Sequence, residues 1–170
     1  MNILKDIPPG NENEINLIIE IPKGMQNKYE YDKEHKIFAL DRVLYSPFHY
    51  PADYGFVPGT LCEDGDPLDG FVILNEPTFP GILVKVRPIG VIEMVDNGEQ
   101  DNKLLCVAVA DPYHKNFKDV KDLSDHFLKS VKHFLEHYKD LQGKKVEVKS
   151  IKGVKEAKEE FARAVKRFKK

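Results

Sequence analysis

Short segments in which apolar and polar residues alternate fill the first two thirds of this chain. In residues 14–21, EINLIIEI, four aliphatic side chains fall on one face of a strand: Ile15, Leu17, Ile19 and Ile21. Further strands are predicted at residues 28–32, 36–45, 71–74, 82–95 and 103–110, with a break near Pro88 and Gly90. A chain with this many short strands must close or stack its sheet to bury one face.

Helical spacing begins only after residue 111. A first helix is predicted over residues 122–142, capped by Asp122 or Ser124 and ended by Gly143, with Leu123, Phe127, Val131, Phe134, Leu135, Tyr138 and Leu141 inward. A second is predicted over residues 154–168, with Val154, Ala157, Phe161, Val165 and Phe168 inward. Strands followed by two helices predict a mainly β fold (α+β), a small closed β-barrel with helices packed on it.

Length and composition favour one intracellular domain. The 170 residues suffice for a single domain spanning residues 1–170. The longest apolar run, LLCVAVA at 104–110, is too short to span a bilayer, so we expect no membrane association. The N-terminal residues do not resemble a signal peptide, and the two cysteines form no CxxC pair. These features predict a cytoplasmic protein.

The charge distribution argues against nucleic-acid binding. Residues 144–170 carry 11 Lys/Arg and 4 Asp/Glu, or +7, whereas the preceding 143 residues carry 15 and 24, or −9. The basic tail also has helical apolar spacing, which favours a solvated helix face. An acidic body would repel a phosphate backbone, so no nucleic-acid partner is expected.

The segment EDGDPLDG, residues 63–70, crowds four carboxylates: Glu63, Asp64, Asp66 and Asp69. Like charges held this close either share protons or hold a cation. Gly65 and Pro67 allow a tight bend that brings residues 64, 66 and 69 together. Carboxylate oxygens suit Mg²⁺, Mn²⁺ or Ca²⁺, but the spacing fits neither an EF-hand nor a phosphate-binding glycine loop.

A second acidic set lies in DNGEQDNK, residues 96–103. Asp96 ends a predicted strand, Asn97-Gly98 makes a turn, and Asp101 shares a strand face with Lys103. Two carboxylate groups on loops of one barrel could hold two or more divalent ions. The remaining candidates are Lys28, Glu30, Asp41, Arg42, Tyr50 and Tyr54. Their lysine, arginine and tyrosine side chains would suit a highly charged phosphate.

At this point the sequence resembles the soluble family I inorganic pyrophosphatases. DGDPLD (64–69) is preceded by YPADYGFVPGTL, and five further pieces agree in order: IIEIP, NKYEYDK, ALDRVLY, DNGEQDNKL and HFLEHYKDL. The resemblance covers roughly residues 12–142. One departure is Gly70, where relatives usually carry a branched apolar residue.

The resemblance implies an OB-like five-stranded closed barrel with two C-terminal helices, Mg²⁺-dependent hydrolysis of pyrophosphate, and a homohexamer. Several Mg²⁺ ions would bind per active site, with Mn²⁺ or Co²⁺ as possible substitutes. The implied metal ligands are Asp64, Asp69, Asp96 and Asp101, with Asp66 as general base. Lys28, Arg42, Tyr54, Lys103, Tyr138 and Lys139 would bind phosphate, and Glu20, Glu30, Asp41 and Tyr50 would act through water or in support.

Three histidines, His126, His133 and His137, fall beside the apolar face of the first predicted helix. They fit a solvated flank, a metal site or a subunit interface, and we hypothesise that His133 and His137 lie at a subunit boundary.

Two other functions remain open. Another two-metal phosphohydrolase would need an aromatic or apolar shelf for a nucleoside, whereas we expect an almost wholly charged pocket. A non-catalytic OB-type nucleic-acid-binding module would need exposed aromatic residues among basic ones.

Overall fold

The computed structural model describes residues 2–170. These described residues form ten strands and two α-helices, in chain order: β1 (Gly10–Asn11), β2 (Glu14–Ile21), β3 (Asn27–Asp32), β4 (Ile37–Val43), β5 (Asp53–Val57), β6 (Leu68–Ile73), β7 (Leu83–Asp96), β8 (Glu99–Gln100), β9 (Lys103–Ala108), α1 (Asp125–His137), β10 (Val146–Lys152) and α2 (Val154–Phe168). Of the described residues, no helix is long and apolar enough to cross a membrane.

Five of the strands close into a barrel in the order β2–β5–β6–β9–β7, because β7 also pairs with β2. All neighbouring pairs are antiparallel except β6 and β9, which run parallel. Strands β3 and β4 form a separate hairpin, and β10 extends the sheet beside β7. The predicted OB-like five-stranded barrel with two helices is confirmed.

Each helix covers one part of the barrel core. Helix α1 packs Val131, Phe134 and Leu135 against Tyr50 and Met94 in one buried cluster. Helix α2 contributes Ala157, Phe161 and Ala164 to a second cluster with β2, β6 and β9. Both helices therefore contribute apolar side chains to the protein's core.

Helix α2 has the predicted bounds, but α1 is shorter than predicted. Ser124 caps α1, and its Oγ accepts a hydrogen bond from the Phe127 N–H at 3.2 Å. Short 3₁₀ turns at 120–122 and 140–142 flank the helix. Leu141 lies beyond the helix end and is 67% exposed, so the prediction that it points inward is wrong.

Three strand predictions need correction. Strand β7 runs unbroken past Pro88 and Gly90, where the register with β9 shifts in a bulge. A bulge tolerates the proline that cannot donate a ladder hydrogen bond. Strand β5 occupies part of YPADYG, residues 50–55, which resembles a turn in composition and was not predicted as a strand, and β10 occupies the start of the basic tail.

Strands β5 and β6 pair at two glycines, Gly55 and Gly70. At Gly55 the backbone of β2 approaches so closely that a side chain has no room. At Gly70 the side chains of Leu17 and Leu104 occupy the adjacent space. These glycines allow tight closure of the barrel, which a local sequence pattern does not indicate.

We expect Gly55→Ala to destabilise the fold far more than Gly70→Ala. A Cβ at residue 55 would lie 1.9 Å from the Ile18 carbonyl oxygen, and backbone cannot move aside without opening the barrel. A Cβ at residue 70 would meet Leu17 and Leu104 side chains at 3.1 and 3.2 Å, which can shift slightly. Denaturant unfolding should show a loss of roughly 3 kcal/mol or more for the first variant and about 1 for the second. Equal losses would contradict this account.

Candidate active site

A cavity of about 400 Å³ lies beside the barrel and the β3–β4 hairpin. Its walls carry eight carboxylates and four lysines: Glu20, Glu30, Asp64, Asp66, Asp69, Asp96, Glu99 and Asp101, with Lys28, Lys33, Lys103 and Lys139. The formal surplus is four negative charges. Residues far apart in sequence meet here because closure of the barrel brings β2, β5, β6, β7 and β9 together.

Lys103 lies at the centre of this cavity and is only 4% exposed. The parallel pairing of β6 with β9 places it beside Asp69, whose Oδ2 accepts from Lys103 Nζ at 2.8 Å. The same ammonium group donates to Asp101 Oδ1 at 2.5 Å. Burial opposes the charged form, but these two carboxylates raise the pKa of Lys103 well above its usual range. Lys103 therefore remains an ammonium ion that joins the two acidic segments.

The acidic loop between β5 and β6 folds back on itself. Asp64 Oδ1 accepts a hydrogen bond from the Asp66 N–H at 3.0 Å, and the Asp66 carbonyl accepts from the Cys62 N–H at 2.7 Å. Gly65 makes the turn at φ +88°, as the sequence predicted. The Asp66 carboxylate stays largely exposed and pairs with Lys33 at 2.9 Å.

Burial and crowding raise the pKa of three carboxyl groups. Burial, with the nearby Asp69 charge, raises the pKa of Glu20 to about 8. Burial also raises the pKa of Asp64, with added repulsion from Asp101. The pKa of Asp101 rises through burial and repulsion from Asp69, against the attraction of Lys103. Burial is the largest cause of all three shifts, and repulsion from a neighbouring carboxylate adds to it.

Tyrosines and further lysines complete the walls. The Tyr54 hydroxyl donates to Asp69 Oδ2 at 2.5 Å. Lys139 pairs with Asp96 and lies 5.3 Å from the Tyr138 ring centroid. The pKa of Lys139 is raised because Tyr138 and Asp96 outweigh the effect of burial. The side chains that could bind an anion are therefore held by carboxylates.

The β3–β4 hairpin supplies Lys28, which pairs with Glu30 and, at 3.2 Å, with Asp41. Burial lowers the pKa of Lys28, and Arg42 adds to this effect against the attraction of Asp41. Arg42 pairs with Asp41 at 2.5 Å. The hairpin thus forms a chain of alternating charges that leads out of the cavity.

The donor set suits a hard divalent cation. All candidate ligands are carboxylate oxygens, which Mg²⁺ and Mn²⁺ prefer. Within residues 2–170, however, no three Asp, Glu, His or Cys side chains already stand in a metal-binding cluster. Lys103 lies between Asp69 and Asp101 instead. The residues fit divalent cations in number and chemistry, and binding would require these ion pairs to rearrange.

Comparison with known proteins agrees with this site. A family model described as inorganic pyrophosphatase matches residues 17–169. This chain belongs to the inorganic pyrophosphatase family. An inorganic pyrophosphatase of Synechocystis sp. is 52% identical over 140 residues, covering 82% of this chain and 83% of the relative. One of Picrophilus torridus is 40% identical over 172 residues, covering 100% of this chain and 97% of the relative.

The fold comparison agrees as well. The crystal structure of inorganic pyrophosphatase from Thermus thermophilus matches with a TM-score of 0.96 and 38% sequence identity, covering 100% of both chains. One from Helicobacter pylori matches with a TM-score of 0.93 and 40% identity, covering 97% of this chain and 99% of the other. This inorganic pyrophosphatase family member therefore shares its whole architecture with solved relatives.

Most residues predicted for the site line its cavity: Glu20, Lys28, Glu30, Tyr54, Asp64, Asp66, Asp69, Asp96, Asp101, Lys103, Tyr138 and Lys139. Three lie behind the walls. Asp41 accepts a hydrogen bond from Lys28 on the cavity wall, and Arg42 donates to Asp41. Tyr50 is buried between Tyr54 and Phe134, with ring centroids 5.5 and 4.8 Å away.

Sequence reasoning missed Lys33, Asn97 and Glu99, which also line the cavity. Lys33 belongs to the quoted NKYEYDK piece, but only the folded chain brings its ammonium group to Asp66 on the acidic loop. The expectation of an almost wholly charged pocket also needs correction. The cavity wall includes the apolar residues Leu4, Phe56 and Pro67.

The raised pKa of Glu20 predicts a pH-dependent stability for the metal-free protein. Because the folded pKa, about 8, exceeds the ordinary value of 4.5, this group favours the folded state most at low pH. Its contribution is lost as pH rises through about 8. With chelator present, the melting temperature of Glu20→Gln minus that of the wild type should therefore become more positive as the pH rises from about 5 to about 9.

Glu14→Gln is the matched control, because its partly exposed carboxylate lies at the other end of β2. The gain of Glu20→Gln over the wild type with rising pH should exceed that of Glu14→Gln. An equal change for the two variants would refute the prediction.

Proposed function

We propose that this chain catalyses hydrolysis of inorganic pyrophosphate to two orthophosphates, with Mg²⁺ and without a covalent intermediate. One observation supports this most strongly: eight carboxylates and four lysines share one cavity in a chain of the inorganic pyrophosphatase family. The surplus negative charge would repel a free polyanion. Substrate entry therefore requires divalent cations, and the family is metal-dependent in general.

Asp64, Asp69, Asp96 and Asp101 are the proposed ligands, with Glu20 and Glu30 acting through water. Bound Mg²⁺ would lower the pKa of a coordinated water and neutralise the charge of the phosphate groups. The raised pKa of Asp64 and of Asp101 supports their assignment, because a cation would stabilise two carboxylates whose charged form is disfavoured by burial first and by repulsion second. Mn²⁺ or Co²⁺ could substitute for Mg²⁺.

The lysines provide the phosphate contacts in this proposal. Lys103, Lys139 and Lys28 are paired with carboxylates in the metal-free chain. When cations take over those carboxylates, the ammonium groups become free to bind phosphate oxygens. Tyr54 and Tyr138 donate further hydrogen bonds, and Arg42 acts from behind Lys28.

Asp66 is the proposed general base. Its carboxylate is exposed and lies at the cavity on the acidic loop, paired with Lys33 alone among charged side chains of the described residues. It would accept a proton from the attacking water. The residues that line the described cavity include no serine, histidine or cysteine, so direct attack by water fits better than a covalent route.

Asp66→Asn should reduce phosphate release from pyrophosphate by about 100-fold or more, because the amide cannot accept the proton. Phosphate release is measured with millimolar Mg²⁺ and again after chelation, which should abolish the wild-type activity. Asp125→Asn, an exposed substitution in the first turn of α1, should keep full activity. If the wild-type protein releases no phosphate with any divalent metal, the result contradicts the proposed function.

A second substrate class receives some support from Leu4, Phe56 and Pro67, which give the cavity an apolar part. A two-metal phosphohydrolase could place a nucleoside there. The same assay with ATP separates the two functions. Faster release from ATP than from pyrophosphate would favour a nucleotide substrate.

We also propose a cytoplasmic homohexamer. The rings of His133 and His137 lie with centroids 4.5 Å apart, tilted by 44°, and the centroid of His133 lies 5.5 Å from that of Phe48. His126 is exposed and takes no part in this aromatic group. The cluster of Phe48, His133 and His137 supports a subunit contact on this face of α1.

Sedimentation velocity tests the assembly. The wild type should sediment as a hexamer, and His133→Glu should sediment as smaller species because a carboxylate would be buried at the contact. His126→Glu, on the same helix, should leave the hexamer intact. A His133→Glu variant that assembles like the wild type would exclude this interface.

A further inference from the structure

A second cavity, of about 250 Å³, lies on the opposite side of the segment that carries Asp101 and Lys103. Asp101 and Lys103 line the first cavity, whereas Asn102 between them lines the second. This alternation is that of an extended chain, in which neighbouring side chains point to opposite faces. Residues of helix α2 form much of the second cavity, including Glu160, Arg163 and Arg167.

The backbone at Asp101 and Asn102 lies outside the sheet, between β8 and β9. The Asp101 N–H donates to the Met94 carbonyl at 3.0 Å. The Met94 N–H donates in turn to Oδ1 of the Asn102 side chain at 3.2 Å. The amide oxygen thus takes the place of a backbone carbonyl in the ladder. The Asn102 side chain therefore fixes the position of the backbone between the two site residues.

Glu160 holds the other end of that side chain. Asn102 Nδ2 donates to Glu160 Oε2 at 2.9 Å, and Arg163 donates to the same oxygen at 2.6 Å. Asn102 is 4% exposed and Glu160 is 6% exposed. A buried amide and a buried carboxylate that lose their partners pay a desolvation penalty, so this contact is strongly specified.

Helix α2 contacts the other acidic segment as well. The Leu61 N–H donates to the Ala164 carbonyl at 3.0 Å, just before the acidic loop. Arg167 pairs with Glu63, next to Asp64, at 2.5 Å. One helix outside the cavity thus supports both segments that carry the proposed metal ligands.

We propose that Glu160 and Asn102 are positioning residues whose hydrogen bond orients Asp101 and Lys103 and so sets the site's affinity for divalent cations. This inference rests on the proposed function only in taking Asp101 as a metal ligand. Partners one step removed from a metal commonly change its affinity by about 10- to 100-fold when they are mutated.

Calorimetric titration with Mn²⁺, in the absence of substrate, tests the inference on the full chain. Glu160→Ala should weaken Mn²⁺ binding about tenfold or more, because Asn102 loses its acceptor. Glu160→Gln should bind nearly as tightly as the wild type, because the glutamine oxygen still accepts that hydrogen bond. Glu159→Gln, an exposed neighbour on the same helix, should match the wild type.

Two results would overturn the inference: wild-type affinity in Glu160→Ala, or equal weakening in Glu160→Gln and Glu160→Ala. The second result would assign the effect to charge rather than to the hydrogen bond. If the wild type and the Glu160 variants show the expected Mn²⁺ affinities but the wild type does not hydrolyse pyrophosphate, only the proposed function is refuted. A wild type that binds no Mn²⁺ would refute both.

If circular dichroism shows that Glu160→Ala does not fold, Asn102→Asp and the double variant Asn102→Asp with Glu160→Gln replace it in the test. Asn102→Asp sets two carboxylates against each other, and adding Glu160→Gln restores both the charge and a hydrogen bond of reversed direction. Long-range attraction alone would make Asn102→Asp bind Mn²⁺ more tightly. We expect weaker binding in the single variant and recovery in the double variant; equal or tighter binding in the single variant would reject the positioning role.

Discussion

The buried ammonium group of Lys103 is the interaction on which the site depends. It joins Asp69 on β6 to Asp101 before β9, in the part of the barrel where two strands run parallel. Two carboxylates this close would repel each other strongly in a partly dry cavity. A buried charge of this kind is tolerated because it is paired on both sides. The metal-free chain can therefore fold with an excess of carboxylates in one place.

Closure of the barrel sets the geometry around Lys103. Glu20 lies near the end of β2, Asp96 is the last residue of β7, and Tyr54 lies near the start of β5. Their relative positions therefore follow from the strand register. That register depends on backbone contact at Gly55, which a side chain would prevent. The acidic loop is the exception, since its shape follows from its own turn and from its contacts with α2. The barrel strands and the acidic loop, which α2 supports, together place their side chains at the cavity.

The sequence predicts best what depends on neighbouring residues. Alternation located β2 and β3, and helical spacing located α2 within its observed bounds. Strand β5 was missed because YPADYG resembles a turn when considered locally, and its Gly55 is explained only by the Ile18 carbonyl of another strand. Strand β10 did carry an alternating signal in VEVKSIK, which the emphasis on tail charge obscured.

The same distinction applies to the site. The acidic segments were visible because their carboxylates are crowded in sequence, whereas Lys33 joins the cavity only through the tertiary fold. Glu160 looked like a solvated residue of an amphipathic helix, since nothing within α2 indicates that it faces Asn102.

The buried Glu160 shows why the charge balance of the site cannot be assessed from the cavity alone. Its carboxylate lies beyond Asn102, is neutralised by Arg163 and leaves the local charge of the first cavity unchanged. What it contributes is orientation, because the Asn102 side-chain amide donates through Nδ2 to Glu160 on α2 and accepts through Oδ1 from the backbone of β7 at the same time. Carboxylate charge favours a cation in this cavity, and in the proposed site the angle between Asp101 and Asp69 would decide whether both can bind it. In this fold that angle depends on a helix that does not touch the cavity.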